Sequence, residues 1–288
     1  MLLERNDVNP DKPDKWHRTP LSRASEKGNE VAVRMLLERN DVNPDKPDRW
    51  HRTPLSWASG KGNEMILRIL LERNDVNPDK PDKWHRTPLS WACTSWKEEV
   101  VRMLLERNDV NPDKPDRWHR TPLSWASGEG NEVAVRMLLE RNDVNPDKPD
   151  RWHRTPLSWA SGKGKEVIVR MLLERNDVNP DKPDKWHRTP LSWASEKGNE
   201  VIVRMLLERD VDPDKPDRWH RTPLSWASRN GRRGVVRMLL ERNEVNPKRR
   251  DLFGKRPLFW ASRERYGDVV RVLRERNEAN PHKPDTWS

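Results

Sequence analysis

One cysteine, one tyrosine and two phenylalanines occur among 288 residues, and each scarcity removes a class of protein. A lone thiol, Cys93, cannot cross-link the chain to itself, so a disulfide scaffold is excluded. No apolar run approaches the roughly 20 residues that span a bilayer, and no charged-then-apolar leader opens the chain. The sequence therefore predicts an intracellular protein, cytoplasmic or nuclear, with no membrane partner. A phosphate-cradling glycine loop, His-Glu-x-x-His and Gly-x-Ser-x-Gly are all missing, so the sequence nominates no catalytic, cofactor-binding or metal-binding residue and predicts that the protein is not an enzyme. Apolar residues are also few, at 32% against 36% charged residues, with a mean hydropathy of −1.14. Composition of that kind usually cannot bury enough apolar surface to offset the entropy of ordering the chain.

Sixteen tryptophans and 25 prolines stand against these deficits, and their spacing overrules the composition. Residues 121–154, TPLSWASGEGNEVAVRMLLERNDVNPDKPDRWHR, differ from 155–188 only at Glu129/Lys163, Asn131/Lys165, Ala134/Ile168 and Arg151/Lys185. The phase runs through Thr19, Thr53, Thr87, Thr121, Thr155, Thr189, Thr222 and Arg256, in steps of 34 with one step of 33. A period of this size means a stacked solenoid, in which neighbouring repeats share the few apolar residues and no central core needs to grow. The sequence predicts one elongated array whose function is built from a ladder and not from a unique pocket.

Within a repeat the punctuation is clear. Thr121-Pro122 reads as an N-cap followed by proline at the first helical position. Leu123, Ala126 and Ser127 continue a short helix, which Gly128 to Gly130 break. Asn131 caps a second helix whose apolar face is Val133, Val135, Met137, Leu138 and Leu139, running to Arg141 with Asn142 as the expected left-handed C-terminal residue. Asp143 to His153 have no helical period and form a projecting loop.

The run Asp-x-Trp-x-Arg-Thr-Pro-Leu-Ser-Trp-Ala, then Gly-Asn-Glu-Val, Met-Leu-Leu-Glu-Arg and Asn-Asp-Val-Asn, resembles the ankyrin repeat over essentially the whole chain. The resemblance implies an all-α, ankyrin-type solenoid of helix-turn-helix repeats with projecting loops. Residues 14–284 would hold about eight repeats, the last a degenerate cap, with a partial repeat at 1–13 and the start of a further loop at 285–288. The chain is thus expected to be a fragment or a truncated product. Serine replaces the family's histidine after Leu, at Ser22, Ser56, Ser90, Ser124, Ser158, Ser192 and Ser225, which removes an imidazole from the usual hydrogen-bond network. Histidine (His17, His51, His85, His119, His153, His187, His220) takes the place of the family's turn glycine, which Gly254 restores.

Those histidines invite a metal reading and do not sustain it. Stacked helices lie about 8–10 Å apart, much too far for a centre whose Zn–N bonds are about 2.0–2.1 Å. A left-handed turn position, tolerated by His, Asn and Asp, accounts for them. Cys93 replaces a serine of other repeats and is expected to be passive.

The tryptophans form two ladders. Trp57, Trp91, Trp125, Trp159, Trp193, Trp226 and Trp260 lie in the first helices, where the resemblance places them against the neighbouring repeat as core. Trp16, Trp50, Trp84, Trp118, Trp152, Trp186 and Trp219 lie at the loop tips. Fingertips and the end of the first helix line the concave face in ankyrin-like arrays, and Trp and Arg dominate binding hot spots. The predicted partner-binding residues are therefore Trp50, Arg52, Trp84, Arg86, Trp118, Arg120, Trp152, Arg154, Trp186, Arg188, Trp219 and Arg221. Stacking of each indole on the loop's own arginine is the alternative, and the two can coexist. Variation between copies concentrates beside the same face, at Glu26-Lys27, Gly60-Lys61, Thr94-Ser95-Trp96, Gly128-Glu129, Gly162-Lys163, Glu196-Lys197, Arg229-Asn230 and Arg263-Glu264; it suits either recognition or drift at solvated sites.

Of the net charge of +10, residues 222–288 carry +8. Arg232-Arg233, Lys248-Arg249-Arg250 and Arg263/Arg265 could meet nucleic acid or an acidic partner. In the last repeat Arg274 stands where Leu105, Leu139, Leu173, Leu207 and Leu240 stand elsewhere, as a wet terminal face requires. The reading is a monomeric, non-enzymatic module for binding a protein partner, similar to the ankyrin tails of fungal NACHT-type receptors and hence the sensing part of a larger receptor. Nucleic-acid binding through the basic end, or a spacer role, is the alternative.

Overall fold

The computed structural model describes residues 9–279, so the expected helix tail at Met1–Asn6 and the loop start at Asp285–Trp287 lie outside the described residues. Sixteen α-helices and no strand occur among them, which establishes the all-α, ankyrin-type solenoid class. The chain divides into two compact units: Met1–Ala126 with Asn131–Asn145, and Ser127–Gly130 with Pro146–Ser288.

The first unit carries α1 Pro20–Lys27, α2 Glu30–Leu37, α3 Pro54–Lys61, α4 Glu64–Leu71, α5 Pro88–Thr94, α6 Glu98–Leu105, most of α7 Pro122–Glu129, and α8 Glu132–Leu139. First helices stack on first helices, and second helices on second helices. The second unit repeats the pattern with α9 Pro156–Lys163, α10 Glu166–Leu173, α11 Pro190–Lys197, α12 Glu200–Leu207, α13 Pro223–Arg229, α14 Arg233–Leu240, α15 Pro257–Arg263 and α16 Gly267–Ala279.

Each first helix starts where the sequence says it should. The hydroxyl of Thr53 accepts the N–H of Ser56 at 3.2 Å, with Pro54 at the first helical position; Thr155 and Ser158 repeat the geometry in the second unit. Serine in place of the family's histidine keeps a bond to the cap, because its own hydroxyl lies 3.2 Å from that of Thr53. Gly62 ends α3 at φ +76°, a left-handed value that closes the helix onto Ala58 O. The second helices depart from expectation at their ends. α8 stops at Leu139, with Glu140 right-handed. Asn142 has no positive φ; the left-handed cap read from the sequence is corrected. Arginine does that work instead: Arg107 Nη1 donates to Leu71 O at 2.5 Å, the C-terminal carbonyl of the preceding second helix, while its other edges hold Asp109 at 2.7 and 2.8 Å. A cation at orphan carbonyls also suits the helix dipole.

The apolar residues are concentrated as the period requires. Leu55, Ala58, Leu67 and Leu70 are fully buried in the first unit, and Leu157, Ala160, Val169 and Leu172 in the second. Cys93 is likewise fully buried, which pushes its thiol up to about 12 and makes it unreactive. Arg274 is exposed, in keeping with the wet outer face expected there.

Loops are tied repeat to repeat at their bases. Asp45 accepts the N–H of Asn77 at 2.9 Å, and Lys80 Nζ reaches Asp45 O at 2.8 Å. Asp147 receives Asn179 and Lys182 in the same way in the second unit. The loops thus stand as braced fingers beside the first helices.

Candidate functional face of fingers and first helices

One aspartate per finger builds the face. Asp48 Oδ1 accepts the N–H of Trp50 at 2.8 Å and of Arg52 at 2.9 Å, which folds the tip into a tight turn. His51 takes the left-handed corner of that turn at φ 60°, and Gly254 occupies it at φ 70° in the last repeat, as the sequence implied. Among the described residues no group of three or more His, Cys, Asp or Glu is arranged to hold a metal ion.

The same carboxylate reaches the helix ladder. Trp57 Nε1 donates to Asp48 Oδ2 at 3.1 Å, and Trp91 and Trp125 do so to Asp82 and Asp116 at the same distance. In the second unit Trp159, Trp193, Trp226 and Trp260 repeat it with Asp150, Asp184, Asp217 and Asp251. The finger is thereby fastened to the first helix of its own repeat. These indoles, expected as core, are half-buried except Trp260, because the edge away from the core faces the fingers.

Between successive helix indoles lies a finger arginine. Arg52 sits 4.7 Å from the ring centre of Trp57 and 4.5 Å from that of Trp91, and Arg86 lies 4.8 and 4.3 Å from Trp91 and Trp125. Arg154 lies 4.8 and 4.6 Å from Trp159 and Trp193, and Arg188 lies 3.6 and 4.2 Å from Trp193 and Trp226. Each unit thus contains a column in which indoles and guanidinium groups alternate. A cation–π contact gains about 2 kcal/mol when desolvated, so the column adds cohesion where apolar residues are few. Burial nevertheless lowers the pKa of Arg52 and Arg154 from the ordinary value, with the charges of Asp48 and Asp82, or Asp150 and Asp184, opposing it. The predicted site arginines, Arg52, Arg86, Arg120, Arg154, Arg188 and Arg221, therefore belong to the frame of the face as well as to its surface.

The fingertip ladder borders this column, with Arg52 at 5.9 and 5.7 Å from the rings of Trp50 and Trp84 and Arg154 at 6.0 and 5.6 Å from those of Trp152 and Trp186. Trp50, Trp84, Trp118, Trp152, Trp186 and Trp219 are half-buried, and each carries a local cation where one is seen: Arg49 at 5.0 Å from Trp50, Arg117 at 4.9 Å from Trp118, Arg151 at 5.4 Å from Trp152. Self-stacking is present, and the indoles remain partly exposed. The carbonyls of the tips accept the next finger's N–H, as Trp50 O does from Lys83 at 2.8 Å and Trp186 O from Arg218 at 2.9 Å. The tips are consequently held in register within each unit.

The finger aspartates escaped the sequence reading, although a signal was present. In the last repeat Trp, His and Arg of the tip have become Phe253, Gly254 and Lys255, while Asp251 and Trp260 persist nine positions apart. What survives when a repeat degenerates is its framework. Trp96, read from the sequence only as one of the varying positions, holds a left-handed turn at φ 56°, where most other repeats place glycine, and is 56% exposed.

The family model for ankyrin repeats (3 copies) matches residues 1–82, 74–150, 134–217 and 210–285. No curated protein matches the sequence.

Proposed function

We propose that this chain, which belongs to the ankyrin repeat family, binds a partner protein on the face formed by its finger tips and first helices. Ankyrin repeats are in general protein–protein interaction modules, and non-enzymatic ones. The observation that carries the reading is the fingertip row: one half-exposed indole per repeat, fixed by an aspartate-pinned turn above a rigid arginine–tryptophan column. Rigid amphipathic side chains lose little entropy on binding, which is why they recur at interface centres. Serving as the sensing part of a larger receptor is the finer form of the same reading.

Nucleic-acid binding through the basic end is weaker. Arg249 is engaged by Asp214 at 3.1 Å and Arg233 by Asp268 at 3.7 Å, so part of that charge is compensated locally. No helix among the described residues is long and apolar enough to cross a membrane.

Trp84→Ala with Trp118→Ala, and separately Trp152→Ala with Trp186→Ala, should abolish capture of the partner while leaving the circular dichroism unchanged. Changing Arg232, Lys248 and Arg250 should alter mainly the association rate and its salt dependence. A ligand lost only with the basic-end variant, and weakening by about 0.9 log unit per log unit of salt for each phosphate neutralised, would mean nucleic acid.

A further inference from the structure

A finger arginine can carry a carboxylate from the first helix of its own repeat, as Arg18 and Arg188 do, or lack one, as Arg52 and Arg154 do. Arg18 Nη1 donates to Glu26 Oε2 at 2.9 Å, from the seventh residue of α1. In the second unit Arg188 Nη2 donates to Glu196, the seventh residue of α11, and is only 6% exposed. At the seventh position of α3 and α9 the residue is glycine, Gly60 and Gly162. The corresponding Arg52 and Arg154 make no ion pair; their buried Nε atoms have no hydrogen-bond partner, but neither has that of Arg188, so the contrast lies in the terminal nitrogens alone. Their nearest acids are already engaged: both oxygens of Asp48 and of Asp150 are taken by backbone N–H groups and an indole. Glu26 and Glu196 act on Arg52 and Arg154 only through longer-range charge.

A guanidinium held between two indoles, as Arg52 and Arg154 are, offers its terminal N–H groups to a carboxylate, the ligand whose charge and acceptors match them. The protein itself supplies one example within the column, the bond from Arg188 Nη2 to Glu196. Neither glycine has the positive φ that would require glycine. A Cβ at Gly60 would stand 3.9 Å from Trp91, and one at Gly162 would stand 3.7 Å from Trp193, ordinary contact distances. Sterics therefore do not demand glycine at these sites.

We infer that Arg52 with Gly60, and Arg154 with Gly162, form two carboxylate-binding slots, each taking an acidic side chain of the partner protein where Glu26 and Glu196 supply one internally. This rests on the binding face described above and specifies its partner as a protein segment rich in Glu or Asp.

The probe is fluorescein-labelled hexaglutamate, titrated by anisotropy into the full chain. Gly60→Glu with Gly162→Glu should fill both slots from within, raise the melting temperature, and weaken hexaglutamate at least about tenfold, the scale of a charge-assisted hydrogen bond. Lys61→Gln with Lys163→Gln makes the same change in net charge beside the slots and should alter affinity less than about twofold, as peripheral charges do. Glu196→Gly should open a further slot at Arg188 and tighten the probe. Absence of hexaglutamate binding, equal losses in the glutamate and glutamine variants, or a lower melting temperature on adding the glutamates would each overturn the inference. So would a thymidine hexanucleotide that binds as tightly and with the same sensitivity, since that would make the ligand a phosphate. A protein partner retained by the glutamate variant but lost with Trp84→Ala and Trp118→Ala would keep the binding face and discard the slots.

Discussion

A single carboxylate can have three duties, and the finger aspartates show what determines its titration. Burial raises Asp14, but the N–H groups of Arg18 and Trp16 and the side chains of Arg23 and Arg18 outweigh it and hold the group at about 2. Its stabilisation is present above the ordinary value of 3.8 and fades as the pH falls toward 2. Asp214, at the base of a finger, goes the other way. Burial pushes it up to about 6, against the opposing pull of Arg249 and of the Asn246 N–H. The folded state then holds a proton that the unfolded chain releases near 3.8, so stability falls as pH rises from about 4 to 6 and stays lower above. Chemical denaturation at about pH 4.5 and pH 6.5 should show the wild type losing up to about 2 kcal/mol more than Asp214→Asn. A flat difference between the two proteins would mean that Arg249 compensates the charge fully. The sequence displayed the acidic residues but not this divergence, because Asp14 and Asp214 differ in burial and in partners supplied by other elements.

Helix boundaries set by local chemistry were legible in the sequence; those set by a neighbour were not. Thr-Pro starts and glycine stops need only residues a few positions apart, and they occur where the period placed them. The end of the second helix was misread because its cap can come from an arginine in the next repeat, 36 residues away, as Arg141 reaches Leu105 O at 2.6 Å. The two tryptophan ladders were told apart correctly as helix and tip, yet the helix indoles proved half-buried, since Asp150 and Arg154 draw their outer edge toward the finger. This shapes the expected mutational contrast. Trp159→Ala removes packing, an indole hydrogen bond and one wall of the cation column, and should cost about 3–5 kcal/mol. Trp152→Ala loses a half-exposed ring over Arg151 and should cost well under half as much. Urea melts of the two variants decide it, and equal losses would put the fingertip indole inside the packed frame.

Across each compact unit, cohesion is assembled from contacts that recur with the period, and no single cluster dominates. Deleting a whole period within the second unit, residues 155–188, should therefore leave a folded, shorter protein with proportionate helicity, because the new junction recreates the Thr-Pro cap, the arginine between two indoles and the tie of the finger aspartate, with the Asp212 N–H taking the place of that of Asn179 on Asp147. Removing only 155–171 should not, since it deletes α9 and all of α10 but Leu172 and Leu173, leaving two fingers in succession with no helix pair between them. Far-ultraviolet circular dichroism of the two deletions distinguishes them, and collapse of the whole-period deletion would overturn the phase. The one shortened period, between Thr189 and Thr222, shows how much variation a junction tolerates: Asp212 replaces the usual asparagine, and Lys215 still reaches Asp181.

The interchangeable junctions have a consequence for heredity. The tie from Asp45 to Asn77 is chemically the same as that from Asp79 to Asn111 and from Asp147 to Asn179. A repeat therefore recognises what kind of neighbour it has, and not which one. Unequal exchange between gene copies that adds or removes one period keeps the reading frame, because a whole number of codons moves, and it keeps every contact at the seam. Offspring chains can differ in repeat number, and in the order of Glu and Gly at the seventh helical position, while each remains a sound fold on which selection can act.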